Sequence, residues 1–162
     1  MQLTQEEVKW LFDTLRAIEY FSFCTVGEIE DFIEIAKKEE YRKGKKIVQQ
    51  GEVGGFFFII KEGKISIWAK DEHSGKQKIA TLNPGDFFGE TALIERKPRN
   101  ATAITETNCK LFVLYGETLI GILDKNPYLR EHFHRIANKR DAERKLILSR
   151  PKKGFFQRLV GS

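Results

Sequence analysis

The chain has 162 residues, 41% hydrophobic and 31% charged, with a formal net charge of +5, which fits one domain with appendages and a core that needs no staples. Its two cysteines, Cys24 and Cys109, are too far apart in sequence and too few for a disulfide framework and read as small hydrophobes of a reducing compartment. The longest apolar run, Phe56 to Ile60, is far too short to cross a bilayer, and charges at Glu6, Glu7, Lys9 and Asp13 argue against a signal peptide, so the cytoplasm is the expected location.

In chain order, Thr4-Gln5-Glu6-Glu7 forms a capping box, and Val8, Leu11, Phe12, Leu15 and Ile18 then recur at helical spacing. A second amphipathic helix is expected to carry Ile29, Phe32, Ile33 and Ala36 on one face. Both helices need a partner surface, so residues 1–40 are assigned to helices packed on a β-barrel. From Tyr41 to Tyr115 the texture changes to short apolar or alternating runs separated by Gly44, Gly51, Gly54-Gly55, Gly63, Gly75, Pro84-Gly85 and Gly89. That spacing predicts an antiparallel jelly roll over 41–116, making the chain mainly β with flanking α-helices. Phe56 to Phe58 read as barrel core, because no basic residues interleave them as a nucleic-acid stacking platform requires.

The period returns to helical over 117–149. A short helix with Leu119, Ile120, Ile122 and Leu123 should end near Asn126-Pro127, and Pro127 can open a second carrying Leu129, Phe133, Ile136, Ala137, Leu146 and Leu148. Cations concentrate at this end: Lys139, Arg140, Arg144, Lys145, Arg150, Lys152 and Lys153 stand against Asp141 and Glu143. Residues 150–162 form a basic and aromatic tail that reads as a mobile end, with an anionic membrane surface or a partner protein as the alternative.

The stretch that carries chemistry is Phe87-Phe88-Gly89-Glu90-Thr91-Ala92-Leu93, followed by Pro98-Arg99-Asn100-Ala101-Thr102. A helical turn beginning at Gly89 leaves its first amides without intrahelical partners, and such donors favour an anion. Arg99 adds a permanent cation whose planar fork can hold two oxygens of one phosphate. Glu90 would repel a phosphate, so it should face a part of the ligand that donates hydrogen bonds, such as a sugar hydroxyl.

This pattern resembles the phosphate-binding cassette of cyclic nucleotide-binding domains, residues 87–102 here. Glycine-bearing motifs in the same order extend the resemblance: Lys43-Gly44-Lys45-Lys46-Ile47 with Gln50-Gly51-Glu52, then Phe56 to Ile67, then Leu82-Asn83-Pro84-Gly85-Asp86. The resemblance implies that Arg99 pairs with the cyclic phosphate and Glu90 accepts from the ribose 2′-OH. The Gly89 and Ala92 amides would complete the cradle beside Thr91 and Ala101. It also implies that Ile67 and Ile79 line the apolar side of the pocket and that the C-terminal helices act as hinge and lid. Asn100 stands where cyclic AMP sites often have alanine and cyclic GMP sites threonine, and its amide fits a phosphate or a guanine edge. Cyclic AMP is favoured over cyclic GMP, and no other cofactor is expected.

A buried cation without a partner is costly, so Arg99 is expected to hold the ligand or, otherwise, a carboxylate. Ligand should draw Leu93 and Ile94 inward and reposition the helix that begins near Tyr128. Arg140 or Arg144 could stack over the base, or each could be solvated. Too little chain follows Leu148 for a helix-turn-helix, so no DNA-binding domain is expected. His73, His132 and His134 do not make a metal centre of the kind some jelly-roll enzymes hold, and no nucleophile and base arrangement suggests catalysis. The chain therefore reads as a binding module, with a ligand-independent docking barrel or a fragment of a cyclic AMP-controlled transcription regulator as alternatives. Its output would pass to an effector protein, or to a second copy through Ile136, Ala137, Leu146 and Leu148.

Overall fold

The computed structural model describes residues 2–73 and 75–149. Three helical elements come first: α1 (Gln5–Ala17), a 3-10 turn (Glu19–Phe23) and α2 (Val26–Glu34). Eight strands follow, β1 (Lys37–Tyr41), β2 (Lys46–Val48), β3 (Phe56–Glu62), β4 (Ile65–Ala69), β5 (Gln77–Leu82), β6 (Phe87–Phe88), β7 (Thr102–Thr105) and β8 (Cys109–Tyr115). A short helix α3 (Glu90–Glu95) lies between β6 and β7, and α4 (Gly116–Lys125) and α5 (Pro127–Ser149) close the described chain. The basic and aromatic tail lies outside the described residues.

The strands form two antiparallel four-stranded sheets, ordered β1-β8-β3-β6 and β2-β7-β4-β5, which is the expected jelly roll. The central strands β3 and β8 are buried on both faces, which explains their unbroken apolar runs. Phe57 lies opposite Leu114 and, with Ile59 and Phe112, faces the helices; Phe58 lies opposite Val113 and, with Ile60 and Leu111, fills the space between the sheets. Helices therefore cover the outer face of one sheet, while the other sheet lines the cavity described below.

Three expectations need correction. The first strand begins at Lys37, ahead of Tyr41. Lys-Lys-Glu-Glu-Tyr forms the edge of its sheet, where side chains need no burial and charges discourage further strand pairing, so no apolar alternation announces it. Phe56 is not core: it is 40% exposed at the start of β3, against 0% for Phe57. Finally, α2 stops at Glu34, so Ala36 is buried from the segment that enters β1 and not from the helix.

Helix starts follow local chemistry. Thr4 and Glu7 cap α1 reciprocally, at 3.1 Å from the Glu7 amide to the Thr4 hydroxyl and 2.8 Å from the Thr4 amide to the Glu7 carboxylate. A second box, Thr25 with Glu28, starts α2. Asn126 accepts from the Leu129 amide at 3.1 Å and Pro127 takes the first helical position of α5. The first half of α5 buries Leu129, Phe133, Ile136 and Ala137 in the helical layer, and the second half reaches β5, where Gln77 Nε2 donates to the Leu148 carbonyl at 3.5 Å. Ile136, Ala137 and Leu148 thus pack back on the domain, leaving Leu146, 59% exposed, outside that seam. No helix among the described residues is long and apolar enough to cross a membrane.

Candidate ligand site and family

Gly89 turns the chain out of β6 with φ 91°, in the left-handed region that glycine tolerates, and α3 starts at the next residue. Nearly all of α3 is buried, with Leu93 and Ile94 joining the core under the helical layer. The chain then returns to the barrel through Arg99, whose backbone is held twice: its amide donates to the Glu52 carbonyl at 2.7 Å and its carbonyl accepts from the Gly51 amide at 2.8 Å.

The Arg99 side chain is 6% exposed and its fork is held from behind. Nη1 donates to the Gly89 carbonyl at 2.5 Å and Nη2 to the Phe56 carbonyl at 2.6 Å. Its partners are main-chain carbonyls and not the carboxylate expected from the sequence. Two glycines make this fit possible, because a Cβ on Gly54 would overlap the guanidinium and one on Gly89 would crowd Nη1. Burial draws the guanidinium pKa below its ordinary value, while the nearby charges of Glu90 and Glu52 act against that; an arginine stays cationic at any physiological pH. Two of five N–H donors are spent on these carbonyls.

Glu90 is also buried, 5% exposed, and three donors converge on Oε1: Arg140 Nη1 at 2.7 Å, Thr91 Oγ1 at 3.2 Å and Tyr20 OH at 3.4 Å. Among the described residues no protein donor reaches Oε2, and no buried side-chain oxygen lacks a partner, so Oε2 keeps solvent access. Burial and the Glu90 charge push the Tyr20 phenol pKa up, so it stays a donor. Arg140 comes from α5 and is not the solvated residue that the sequence allowed. Its guanidinium lies 4.4 Å from the centre of the Phe87 ring and 5.9 Å from that of Tyr20, stacked on protein aromatics. Arg144 is held by Asp141 at 2.9 Å on its own helix.

All nine residues singled out from the sequence, Ile67, Ile79, Gly89, Glu90, Thr91, Ala92, Arg99, Asn100 and Ala101, line one cavity of about 240 Å³. Its wall continues through Val48, Ala80, Leu82 and Ala103 of the sheets, and α5 covers it with Arg140, Glu143, Arg144 and Ile147. The Asn100 amide bonds no protein group among the described residues. One end of the cavity thus offers a cationic fork, one side a carboxylate with an open oxygen, and the remainder an apolar wall.

The cyclic nucleotide-binding domain family matches residues 38–126, more than half of the chain. The chain belongs to that family. Over 135 residues it is 32% identical to mouse cGMP-dependent protein kinase 2, covering 80% of this chain and 18% of the kinase. Over 81 residues it is 38% identical to the cAMP-dependent protein kinase regulatory subunit of Eremothecium gossypii, covering 50% of this chain and 17% of the subunit. This cyclic nucleotide-binding domain therefore spans less than a fifth of either relative. Among solved structures, cAMP-bound PfPKA-R (141-441) superimposes with a TM-score of 0.71 at 26% identity, covering 75% of this chain and 43% of that one.

The resemblance implied a lid from the C-terminal helices, with Arg140 or Arg144 in it, but the sequence did not single out Glu143 and Ile147 of the domain's cavity. Arg140, Glu143, Arg144 and Ile147 follow the i, i+3, i+4, i+7 spacing of one helix face, but that face is mostly polar and carries no hydrophobic signal. Ala80, Leu82, Val48 and Ala103 follow from strand alternation once the sheet pairing is known.

Proposed function

We propose that this domain is a cyclic nucleotide sensor that binds cyclic AMP in preference to cyclic GMP and relays occupancy through α5. The reading rests on one observation: a buried guanidinium braced by two carbonyls and a buried carboxylate with one open oxygen border the same cavity. The free N–H edges of Arg99 meet the two exocyclic oxygens of a cyclic phosphodiester, with the amides after Gly89 beside them. Oε2 of Glu90 accepts from the ribose 2′-OH, while Arg140 already satisfies Oε1. Arg140 therefore orients Glu90 and does not compete with the sugar.

The base lies against Ile67, Ile79, Ala80 and Ile147. An apolar wall favours adenine, because guanine presents a carbonyl, a ring N–H and an amino group where adenine has a single amino group, and their desolvation needs partners. Asn100 is the nearest uncommitted amide and sets how far guanine is disfavoured. Relay follows from the lid, since α5 contributes both the cover of the base and the grip on Glu90. Ligand shifts the lid only by the difference between its affinities for the two lid positions. An effector protein that reads α5 completes the signal.

Isothermal titration with cyclic AMP, cyclic GMP and 5′-AMP tests the proposal. Both cyclic forms should bind, cyclic AMP the tighter, and Arg99→Ala should weaken binding by at least about a hundredfold, the size expected for charge-assisted, desolvated hydrogen bonds. Equal heats from 5′-AMP, or undiminished binding by Arg99→Ala, would refute it.

A further inference from the structure

The far end of the jelly roll carries a second feature that neither the cassette nor the lid uses. Three turns meet there: 42–45 between β1 and β2, 63–64 between β3 and β4, and 106–108 between β7 and β8. They are tied by their backbones. The Gly44 amide donates to the Thr105 carbonyl at 2.8 Å, the Lys43 amide to Asn108 Oδ1 at 2.9 Å and the Lys64 amide to Thr107 Oγ1 at 3.0 Å. Thr105, 1% exposed, anchors the junction: its hydroxyl donates to the Arg42 carbonyl at 2.7 Å and accepts from the Lys45 amide at 2.8 Å.

This rigid knuckle displays Arg42, Lys43, Lys45, Lys46 and Lys64, all exposed and none in an ion pair among the described residues. Nearby acids do not neutralise them. Glu40 and Glu62 flank Lys110 at 3.9 and 3.7 Å, and Glu106 is bound to Lys78. The turns need glycine at Gly44 and Gly63, where φ is 83° and 96°, but nothing in the fold requires lysine beside them. Whole-chain counting hides the patch, because acids elsewhere cancel these cations and the net charge appears to belong to residues 139–153.

We propose that this knuckle is a docking surface for an acidic segment of a partner protein. A fixed backbone removes the main-chain part of the ordering cost when these cations meet carboxylates, and clustered like charges steer association. A membrane fits less well. The exposed large hydrophobic residues, Val8, Phe23, Val26, Val53, Phe56, Tyr128 and Leu146, all lie outside these turns, so none supplies the apolar anchor that stable membrane attachment adds to charge. The proposal is independent of which nucleotide, if any, the cavity holds.

The test is an amide-resolved NMR titration of the protein with a glutamate-rich peptide of roughly ten residues at low salt, where surface charge is little screened. Shifts should concentrate at 42–46, 63–64 and 105–108. Lys43→Glu with Lys45→Glu and Lys64→Glu should weaken binding at least about tenfold, while Lys9→Glu with Lys125→Glu and Lys139→Glu, which changes net charge equally, should weaken it less than about threefold. Retained amide dispersion shows that each variant is folded. Equal losses in the two variants, shifts centred on α5, no peptide binding, or tighter binding to phosphatidylserine vesicles than to the peptide would each overturn the proposal.

Discussion

The two polar ends of the cavity are built differently. Arg99 is held by main chain: the carbonyls of Gly89 and Phe56 take its fork, Gly51 and Glu52 take its backbone, and Gly54 clears the space behind it. Glu90 is held by side chains from distant elements, Tyr20 of the 3-10 turn and Arg140 of α5. The carbonyl acceptors of Arg99 are fixed by the main chain of the barrel, whereas the Arg140 grip on Glu90 is lost whenever α5 moves. The Arg99 end is thus preorganised, and under the proposed function the Glu90 end reports where α5 sits.

The contrast breaks most sharply at Gly54. Gly54→Ala should displace the Arg99 guanidinium and cost about as much ligand affinity as Arg99→Ala, roughly a hundredfold by calorimetry. Gly55→Ala, where a new Cβ meets nothing within 4 Å, should bind as wild type. Equal behaviour of the two alanines would remove the backbone-brace account.

The next largest effect is at the other end. Arg140→Ala should lower unfolding stability by about 2 kcal/mol in urea titrations, between the values for exposed and buried pairs, because Glu90 keeps only the two hydroxyls while Arg140 itself is 37% exposed. Hydrogen exchange should quicken most over 141–149, by more than at the β3 and β8 amides, whose protection follows global unfolding. Protection that falls equally in α5 and the sheets would show that the end of α5 is not a separate unit.

Acid should loosen α5 as well. Burial raises the Asp141 pKa, but hydrogen bonds and charge from Arg144 and Lys145 outweigh it and hold the carboxyl below its ordinary value. The Thr4 capping contact and Lys38 do the same for Glu7, against a smaller effect of burial. A carboxyl depressed in the folded state contributes stability at neutral pH that disappears as pH falls through its folded pKa, here below about pH 4. Far-UV circular dichroism should therefore show a loss of helix in that range, and Asp141→Asn should have removed its share already at pH 7.

The smallest effect concerns Arg96, a non-glycine residue with φ 54° at the end of α3. Its ion pair with Asp124 is 3.7 Å long and exposed, and contributes little. Arg96→Gly should relieve the left-handed conformation and raise stability by up to ~1 kcal/mol in thermal melts. A fall would mean that the exposed arginine holds the turn in a way the contacts do not show.

Much of the fold was legible because its signals are local. A capping box needs only Thr4 and Glu7, and the turns at Gly44, Gly63, Gly85 and Gly89 need a backbone that other residues avoid. The cassette was legible for the same reason, since Gly89, Glu90 and Arg99 lie within a few turns of one another. Edge strand β1 was not, because charged residues at a sheet margin carry no periodic apolar pattern. The 3-10 turn was equally silent, although it buries Tyr20 and Phe21 against Phe133 of α5.

From the sequence alone came the jelly roll, the cassette and the presence of a guanidinium and a carboxylate on one cavity, because each depends on short-range spacing and on the chemistry of single residue types. Only the tertiary structure decided that two carbonyls brace Arg99, that Arg140 leaves one Glu90 oxygen open, and that Glu143 and Ile147 join Arg140 and Arg144 over the cavity. Those contacts join segments whose separation along the chain carries no pattern, and packing of the sheets and helices is what brings them within hydrogen-bond reach.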